Sequence, residues 1–257
     1  MQLQSLIEWF DVYAPKSLGA SWDNEGEMVV GSGEHEIKKI LISLDLTRAV
    51  LDYAVEGGFD CVITHHPMIF SPLKSIEADS TQGGMIFDLI RHGIDVLSYH
   101  SRLDSADGGV NDCLCGLLGI EDIRSFGIDE SQTLGRIGNV SPTTLGEFAS
   151  RVKQVLNSPH VAYSADSHRR IERVAVVGGS GKDFARAAFV SGADVFVTGE
   201  MGYNAMLGYG EAGMCVITAG HFHTECIVLE RLAEEIRGSF VCEAVVYSGS
   251  DGIVYIP

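Results

Sequence analysis

Apolar runs and amphipathic segments alternate along the first half of the chain. Residues 3–12 place their apolar side chains on one face of a 3.6-residue period, which predicts an opening helix. The next apolar segments predict strands over 37–44, 60–64 and 94–99, and helices over 47–56, 83–92 and 109–118. Strands that alternate with helices in this way are typical of βαβ units with a parallel sheet.

A second set of the same kind follows a more polar stretch. It predicts strands over 136–140, 171–177, 194–198, 215–218 and 241–247, and helices over 141–156, 182–191, 203–212 and 224–237. In the helix over 141–156 we expect Ser141 to be the N-cap and Pro142 the first helical residue.

The two sets repeat one another. One constant offset pairs Ile37 with Ile171, Asp60 with Asp194 and Thr64 with Thr198. A second offset pairs His100-x-x-x-Asp104 with His221-x-x-x-Glu225, so each half places a histidine and a carboxylate just after a strand. An internal repeat of this length indicates two copies of one structural unit. The sequence therefore predicts an α/β protein made of two related lobes.

Composition narrows the class of protein. The chain has 257 residues, 46% of them hydrophobic and 21% charged, which is typical of a globular protein. No apolar run approaches the roughly 20 residues of a membrane span, and the N-terminus lacks the pattern of a signal peptide. Six scattered cysteines argue against a disulfide framework. We therefore expect a cytoplasmic protein with no membrane partner. The net charge of -17 disfavours binding to nucleic acid.

The sharpest chemical signal is the pair His65-His66. It follows the apolar run Cys61–Ile63 and precedes Pro67, which stops the strand. The pair should therefore lie at the carboxyl edge of the sheet, where open α/β sheets bind ligands. Neighbouring imidazoles on an extended backbone point in different directions, so they would serve two metal ions side by side rather than one.

Other strand ends carry matching chemistry. The polar residues predicted there are His65, His66, His100, Asp104, Glu200, His221, His223 and Glu225. Imidazoles mixed with carboxylates suit Zn, Mn, Fe, Co or Ni better than Ca or Mg. Two such ions about 3.5–4 Å apart would activate a water molecule for hydrolysis. The alternative is a set of satisfied polar residues without a metal. We interpret Glu200 and His223 as supporting or solvent-facing residues rather than ligands.

Three further features rank lower. Gly178–Gly181 lies between a strand and a helix, where backbone N–H groups can bind an anion. It lacks the ending of a P-loop, so a plain tight turn is the favoured interpretation. No serine or cysteine has the surroundings of a catalytic nucleophile. The segment Asp107–Asp112 predicts a turn and a helix start that position Asp104.

Several motifs together resemble one protein family. They are Trp22-Asp23-Asn24-x-Gly26, Ile63-Thr64-His65-His66-Pro67, His100-x-x-Leu103-Asp104, Gly108-Gly109-Val110-Asn111-Asp112, Gly179-Ser180-Gly181, Thr198-Gly199-Glu200 and Gly220-His221-x-x-Thr224-Glu225. In this order they resemble the GTP cyclohydrolase 1 type 2 homologue family, also called the NIF-three-like dinuclear metal proteins. The likeness covers nearly the whole chain.

The resemblance implies a dinuclear metal centre in the cleft between two α/β lobes, with two divalent transition-metal ions per chain. The implied metal ligands are His65, His66, Asp104, His221 and Glu225, with Glu225 or Asp104 bridging. Glu225 and His100 are the candidate catalytic residues. The resemblance also implies a first lobe of 1–126 plus 226–257, a second lobe of 127–225, and a ring-shaped homohexamer. Some relatives carry an inserted domain, for which this length leaves no room.

The chain departs from the family pattern beside the site. Ser101 and Arg102 stand where a small residue and an asparagine are common, Asn204 replaces a histidine, and His223 replaces a small residue. Arg102 and the Gly178–Gly181 turn are the best available contacts for a phosphate, in a chain with 18 Lys and Arg against 35 Asp and Glu. These departures affect substrate choice rather than metal binding.

Three functional hypotheses follow. The first is a metal-dependent hydrolase that uses a metal-bound hydroxide on a small-molecule substrate, nucleotide-like or other. The second is a metal-holding or regulatory ring scaffold without catalysis. The third, a ring clamp on nucleic acid, is disfavoured by the acidic charge.

Overall fold

A computed structural model of the chain describes residues 1–129, 133–249 and 252–253. The described residues form two compact units. The first contains Met1–Leu103 and the segment 229–249, and the second contains Asp104–Val228. Among the described helices, none combines the length and the hydropathy needed to cross a membrane.

The first unit begins with helix α1 (Leu3–Tyr13), a 3₁₀ turn (Lys16–Leu18) and strand β1 (Gly26–Val29). There follow β2 (Lys39–Ser43), α2 (Arg48–Gly57), β3 (Cys61–Thr64), α3 (Thr81–His92) and β4 (Asp95–Ser98). The chain passes into the second unit within the short helix α4 (Ser101–Ser105).

The second unit contains α5 (Val110–Leu118), β5 (Glu121–Phe126), β6 (Gly135–Thr144), α6 (Leu145–Val155), β7 (Ala162–Tyr163) and β8 (Arg170–Val177). It continues with a 3₁₀ turn (Gly181–Phe184), α7 (Ala185–Val190), β9 (Val195–Thr198), α8 (Tyr203–Ala212), β10 (Cys215–Thr218) and α9 (His221–Glu225). Helix α10 (Val228–Ser239) leads back to the first unit, which ends with β11 (Glu243–Val246).

The sheet of the first unit has the strand order β1-β4-β3-β2-β11. Neighbouring strands from β4 to β11 are parallel, and β1 pairs antiparallel with β4. Every residue of β3 and β4 is buried, as expected for a parallel sheet that is covered on both faces. Since β11 pairs with β2, the C-terminal segment completes this sheet.

The sheet of the second unit has the order β5-β6-β8-β9-β10-β7. Strands β8, β9 and β10 are parallel, and β6 and β7 pair antiparallel with β8 and β10. Alternate residues of these strands belong to two separate apolar clusters: Val174, Val176, Val195, Val197, Cys215 and Ile217 to one, and Ala175, Val177, Phe196 and Val216 to the other. The sheet is therefore buried on both faces.

Hydrogen bonds confirm the predicted repeat. The side chain of Asp60 accepts from the backbone N–H groups of Lys38 and Lys39, each at 2.8 Å. In the second unit, Asp194 accepts from Glu172 at 2.9 Å and from Arg173 at 2.8 Å. Each aspartate lies directly before a strand, β3 or β9, and holds the start of that strand against the preceding strand, β2 or β8. The prediction of two related α/β lobes is confirmed at this level.

The two histidine motifs are not structurally equivalent. The last residues of β4 and β10, Ser98 and Thr218, occupy matching positions opposite Thr64 and Thr198. Counted from these residues, His221 begins α9, whereas His100 precedes α4 by one residue. The sequence match between His100 and His221 is therefore one residue out of the structural register.

The division between the units differs from the predicted one. We expected residues 1–126 in the first lobe, but the second unit begins at Asp104. The reason is the packing of α5, whose buried residues Leu114, Cys115 and Leu118 belong to the same apolar cluster as Phe148 and Val152 of α6.

The start of α6 was also predicted incorrectly. Strand β6 continues through Ser141 and Pro142 to Thr144, and its pairing with β8 is irregular between Asn139 and Thr143. Thr144 is the N-cap, and it forms a reciprocal capping box with Glu147. This pair satisfies two backbone N–H groups at the start of the helix, those of Thr144 and Glu147.

Other elements were missed or merged. Strands β1, β5 and β7 were not predicted, because they are short or largely exposed and carry little periodic signal. The predicted helix over 224–237 is two helices, α9 and α10.

We expect Glu147→Gln to lower the melting temperature by about 1–3 °C at pH 7, because it removes a negative charge from the first turn of α6. Hydrogen bonds from Thr144 and Thr143 lower the pKa of Glu147 to about 2. A carboxylate whose pKa is lowered in the folded protein stabilises the fold at pH values above its ordinary pKa of 4.5. This contribution is lost as the pH falls towards the lowered pKa of about 2. The difference between wild type and variant should therefore vanish in acid.

The matched control is Glu211→Gln, near the C-terminal end of α8, where a negative charge is unfavourable to the helix dipole. It should leave the melting temperature at pH 7 unchanged or slightly raised. Equal effects of the two variants across the pH range would contradict the role of the capping box.

Candidate functional site

The first unit presents His65 and His66 at the carboxyl edge of its sheet. Strand β3 ends at Thr64, and the backbone N–H groups of the two histidines donate to Ser43 and Leu44 at 3.3 and 2.9 Å. The pairing with β2 thus continues for two residues beyond the strand. It fixes the backbone of both histidines where the sequence predicted them.

The orientation of His65 is set by a backbone carbonyl. Its Nδ1 lies 2.9 Å from the carbonyl oxygen of Tyr99. A carbonyl can only accept, so Nδ1 carries the hydrogen and the lone pair of the neutral ring is on Nε2. The ring of Tyr99 is stacked on Phe10 at 3.5 Å, and the guanidinium of Arg102 lies 4.5 Å from it in cation–π contact. The acceptor of His65 is therefore firmly held.

His66 and His100 are held in the same way by carboxylates. Nδ1 of His66 lies 2.8 Å from Oδ1 of Asp45, and Nδ1 of His100 lies 2.9 Å from Oδ2 of Asp23. Ionised carboxylates only accept, so these rings also present Nε2 as the lone-pair nitrogen. A histidine whose other nitrogen donates to an oxygen is the usual arrangement of a metal ligand.

The three imidazoles form one group. Ring centroids are 5.2 Å apart for His65 and His66, 5.2 Å for His65 and His100, and 5.6 Å for His66 and His100. One nitrogen from each ring lies within 4.8 Å of the others, a spacing suited to holding metal. His100, which we expected to be a catalytic residue rather than a metal ligand, thus lies among candidate ligands.

Two acidic residues that support His100 were not among the predicted site residues. Asp23 accepts from the backbone N–H of Ser101 as well as from His100. Burial raises the pKa of Asp23, but the hydrogen bond and charge of His100, with further hydrogen bonds from Ser101, lower it to about 2 overall. Glu25 accepts from the N–H of His100 at 2.9 Å, and burial raises its pKa. The Trp22-Asp23-Asn24-x-Gly26 motif was the available signal.

The second unit places His221 and Glu225 on successive turns of α9. Nε2 of His221 lies 3.1 Å from Oε2 of Glu225, and its Nδ1 lies 3.0 Å from Oε1 of Glu200. Glu225 is only 3% exposed. Glu200 thus contacts His221 from a side chain that is largely exposed, while the ring of His223 packs edge-on against Phe222.

The Gly178–Gly181 segment is a tight turn that supports Glu225. Its three glycine N–H groups donate within the unit: Gly178 to Asn111 at 2.9 Å, Gly179 to Thr224 at 3.0 Å, and Gly181 to Thr198 at 2.9 Å. These N–H groups are therefore engaged and do not form a cradle for a phosphate. The favoured interpretation as a turn agrees with this geometry. A Cβ atom on Gly179 would overlap Oε1 of Glu225.

Asn111 connects Asp104 to this turn. Its side-chain amide donates to the carbonyl oxygens of Asp104 at 3.2 Å and Leu134 at 3.0 Å, while its oxygen accepts from Gly178. Arg136 donates to the carbonyl oxygen of Ser105 at 2.8 Å. The predicted positioning role of the segment Asp107–Asp112 therefore has a concrete basis in the backbone of Asp104.

Arg102 differs from its expected role as a cation beside the site. It is 2% exposed, it stacks on Tyr99, and its guanidinium donates to Asp11 of α1 at 3.3 Å. Its charge is thus used within the first unit and is not presented to a substrate.

Comparison with known proteins identifies the family. The model of the Duf34/NIF3 (NGG1p interacting factor 3) family matches residues 1–250. A Clostridium perfringens protein named GTP cyclohydrolase 1 type 2 homolog is 33% identical over 241 residues, which is 92% of each chain. A Streptococcus pneumoniae protein of the same name is 32% identical and covers 91% of this chain and 89% of its own.

Solved structures agree. The Staphylococcus aureus hypothetical protein SA1388 superposes with a TM-score of 0.90 at 28% identity, covering 100% of this chain and 99% of its own. TTHA1606 from Thermus thermophilus has a TM-score of 0.81 at 25% identity, covering 98% of this chain and 100% of its own. The two-lobed α/β fold of this chain is thus the fold of the NIF3 proteins. The chain belongs to the Duf34/NIF3 family.

Gly179→Ala should destabilise the second unit more than an ordinary glycine substitution. Gly179 has φ +59, and an alanine there would both adopt a left-handed conformation and displace Glu225. We expect a loss of about 3 kcal/mol in the free energy of unfolding, from backbone strain and overpacking together.

The matched control for this prediction is Gly192→Ala. Gly192 has φ +81, and a Cβ atom added there would have none of the described atoms within 4 Å, so only the backbone strain of about 1 kcal/mol applies. Chemical denaturation of both variants measures the difference. Equal losses would show that Glu225 does not rest on the turn.

Proposed function

We propose that this protein is a metal-dependent hydrolase that acts on a small substrate, nucleotide-like or other, with two divalent transition-metal ions per chain. The observation that supports it best is the histidine group of the first unit, in which all three Nδ1 atoms donate to oxygen acceptors. Hydrogen bonds of this kind turn a histidine into a fixed metal ligand. If these histidines were only hydrogen-bonded polar residues, there would be no reason for all three to carry the hydrogen on Nδ1 and leave Nε2 as the lone-pair nitrogen.

The donor atoms fit a transition metal. The first unit offers the Nε2 atoms of His65, His66 and His100, and the second unit offers Asp104, His221 and Glu225. This mixture favours Zn, Mn, Fe, Co or Ni. Ions held by such groups supply a polarised water molecule and a positive charge for substrate oxygens.

The residues of the chain contribute orientation and proton transfer. Asp45 and Asp23 hold the rings of His66 and His100 and make Nε2 a stronger electron donor. Glu225 is buried against His221, and its carboxylate can instead bind a metal ion or accept a proton. His100, 19% exposed and backed by Asp23, can act as a ligand or as a proton acceptor.

The relatives are named for GTP cyclohydrolase. For this chain we propose hydrolysis, but we do not propose GTP as the substrate. The two phosphate contacts expected from the sequence are engaged within the protein: the three glycine N–H groups of the Gly178–Gly181 turn have internal acceptors, and Arg102 is buried on Tyr99. A substrate recognised mainly through several phosphates therefore has little support.

The family resemblance supports two further proposals. One is a ring-shaped homohexamer, which light scattering would test against the chain mass of 27.7 kDa. The other is the metal-holding scaffold as an alternative function, which predicts the same metal content as the hydrolase without turnover on any substrate.

Metal content tests the ligand assignment. Elemental analysis of protein purified without chelators should give about two transition-metal equivalents per chain. Glu225→Gln should lose about one equivalent or more, because the neutral amide is a weaker ligand. Glu230→Gln, a change at an exposed carboxylate of α10, should lose none. Fewer than half an equivalent in the wild type, even after metal is added, would refute metal binding.

His100→Gln separates the two roles of His100. If it is a proton acceptor, hydrolysis should fall by about 10²–10⁴-fold while the metal content is retained. If it is a ligand, metal and activity should fall together. Unchanged metal content and unchanged turnover would remove His100 from the site, and a fully metal-loaded wild type that turns over no substrate would favour the scaffold.

A further inference from the structure

Two large aromatic side chains lie exposed beside the histidine group of the first unit. Trp22 is 53% exposed, and its ring centroid is 6.1 Å from that of His100 in an edge-on arrangement. Phe70 is 51% exposed, and its ring lies 6.3 Å from that of Trp22. Side chains of this size usually bury most of their surface, so a pair left in solvent next to candidate ligands indicates a binding surface.

The backbone that carries Trp22 is firmly held. The N–H of Ala20 donates to Oγ of Ser101 at 2.9 Å, and the N–H of Asp23 donates to the carbonyl of Ala20 at 3.0 Å. The carboxylate of Asp23 is bound by His100 and Ser101. Trp22 is therefore presented on a fixed turn rather than on a mobile loop, and this reduces the entropy cost of binding a ligand.

Phe70 lies on a long connection that is tied to the same turn. Residues 67–80, all of which are described, form neither helix nor strand. The side chain of Asn24 donates to the carbonyl of Ile69, next to Phe70, and the side chain of Gln82 donates to the carbonyl of Met68 at 2.5 Å. Irregular connections of this length within a domain are commonly binding or active-site loops.

We propose that Trp22 and Phe70 form an aromatic platform that stacks a planar, unsaturated ring of the substrate beside His100. This inference rests on the proposed function, and it narrows the substrate to compounds that contain a flat ring, such as a nucleobase or another heterocycle. Stacking suits this surface because the neighbouring charged groups, Asp23 and Asp45, are carboxylates that favour a ring over a phosphate. Recognition would then come from the ring face.

Tryptophan fluorescence reports on this platform directly. The chain has two tryptophans, Trp9 and Trp22, and Trp9 stacks on Tyr13 at 4.8 Å. In Trp9→Phe, the remaining emission comes from Trp22. We expect saturable quenching by at least one of three ring probes, which are guanosine monophosphate, pterin and nicotinamide. Ribose 5-phosphate, which has no aromatic ring, should not quench.

The reciprocal variant Trp22→Phe is the matched control, because its emission comes from Trp9 and should not change with any probe. For the probe that binds, calorimetry should show that Trp22→Ala and Phe70→Ala each raise Kd about tenfold, as expected for the loss of one stacked ring. Tyr203→Ala, which removes a 74% exposed ring from α8, should leave Kd unchanged.

Metal analysis distinguishes failure of this inference from failure of the proposed function. Neither Trp22 nor Phe70 supplies a ligand atom, so their alanine variants should retain the metal content of the wild type. Absence of quenching by all three rings would overturn the platform, as would equal quenching by ribose 5-phosphate. An unchanged Kd with an altered oligomeric mass in Trp22→Ala would overturn it in favour of a contact between copies of the chain.

Discussion

The hydrogen bond at Nδ1 of each candidate histidine is the interaction on which the arrangement of the candidate site depends. Tyr99, Asp45, Asp23 and Glu200 supply the acceptors for His65, His66, His100 and His221. Each acceptor fixes the rotation of a ring and, for the first three, directs the lone pair to Nε2. Because an imidazole is a useful ligand only in the right tautomer, these oxygens matter as much as the histidines.

The acceptors are themselves held by ordinary packing and backbone pairing. The carbonyl of Tyr99 belongs to a residue whose ring is enclosed by Phe10 and Arg102, so α1 contributes to the orientation of His65. In the second unit, the glycines of the Gly178–Gly181 turn allow the backbone to approach Glu225 closely. These supports keep the candidate ligand groups in place.

The family assignment and the geometry support each other while answering different questions. Similarity over residues 1–250 establishes membership and fold. The geometry identifies which side chains can act and which cannot: His100 joins the candidate ligands, whereas Arg102 is withdrawn into a stack with Tyr99 and an ion pair with Asp11.

The two-lobed α/β plan, the motifs that contain His65, His66 and Glu225, and the repeated aspartates Asp60 and Asp194 could be predicted from the sequence, because local periodicity and short motifs encode them. Three features became apparent only in the folded chain: Asp23 holds His100, α5 packs with α6, and Thr144 rather than Ser141 caps α6. Those outcomes depend on contacts between residues far apart in the chain, or on competition between a strand and a helix for the same segment, and local pattern does not encode either.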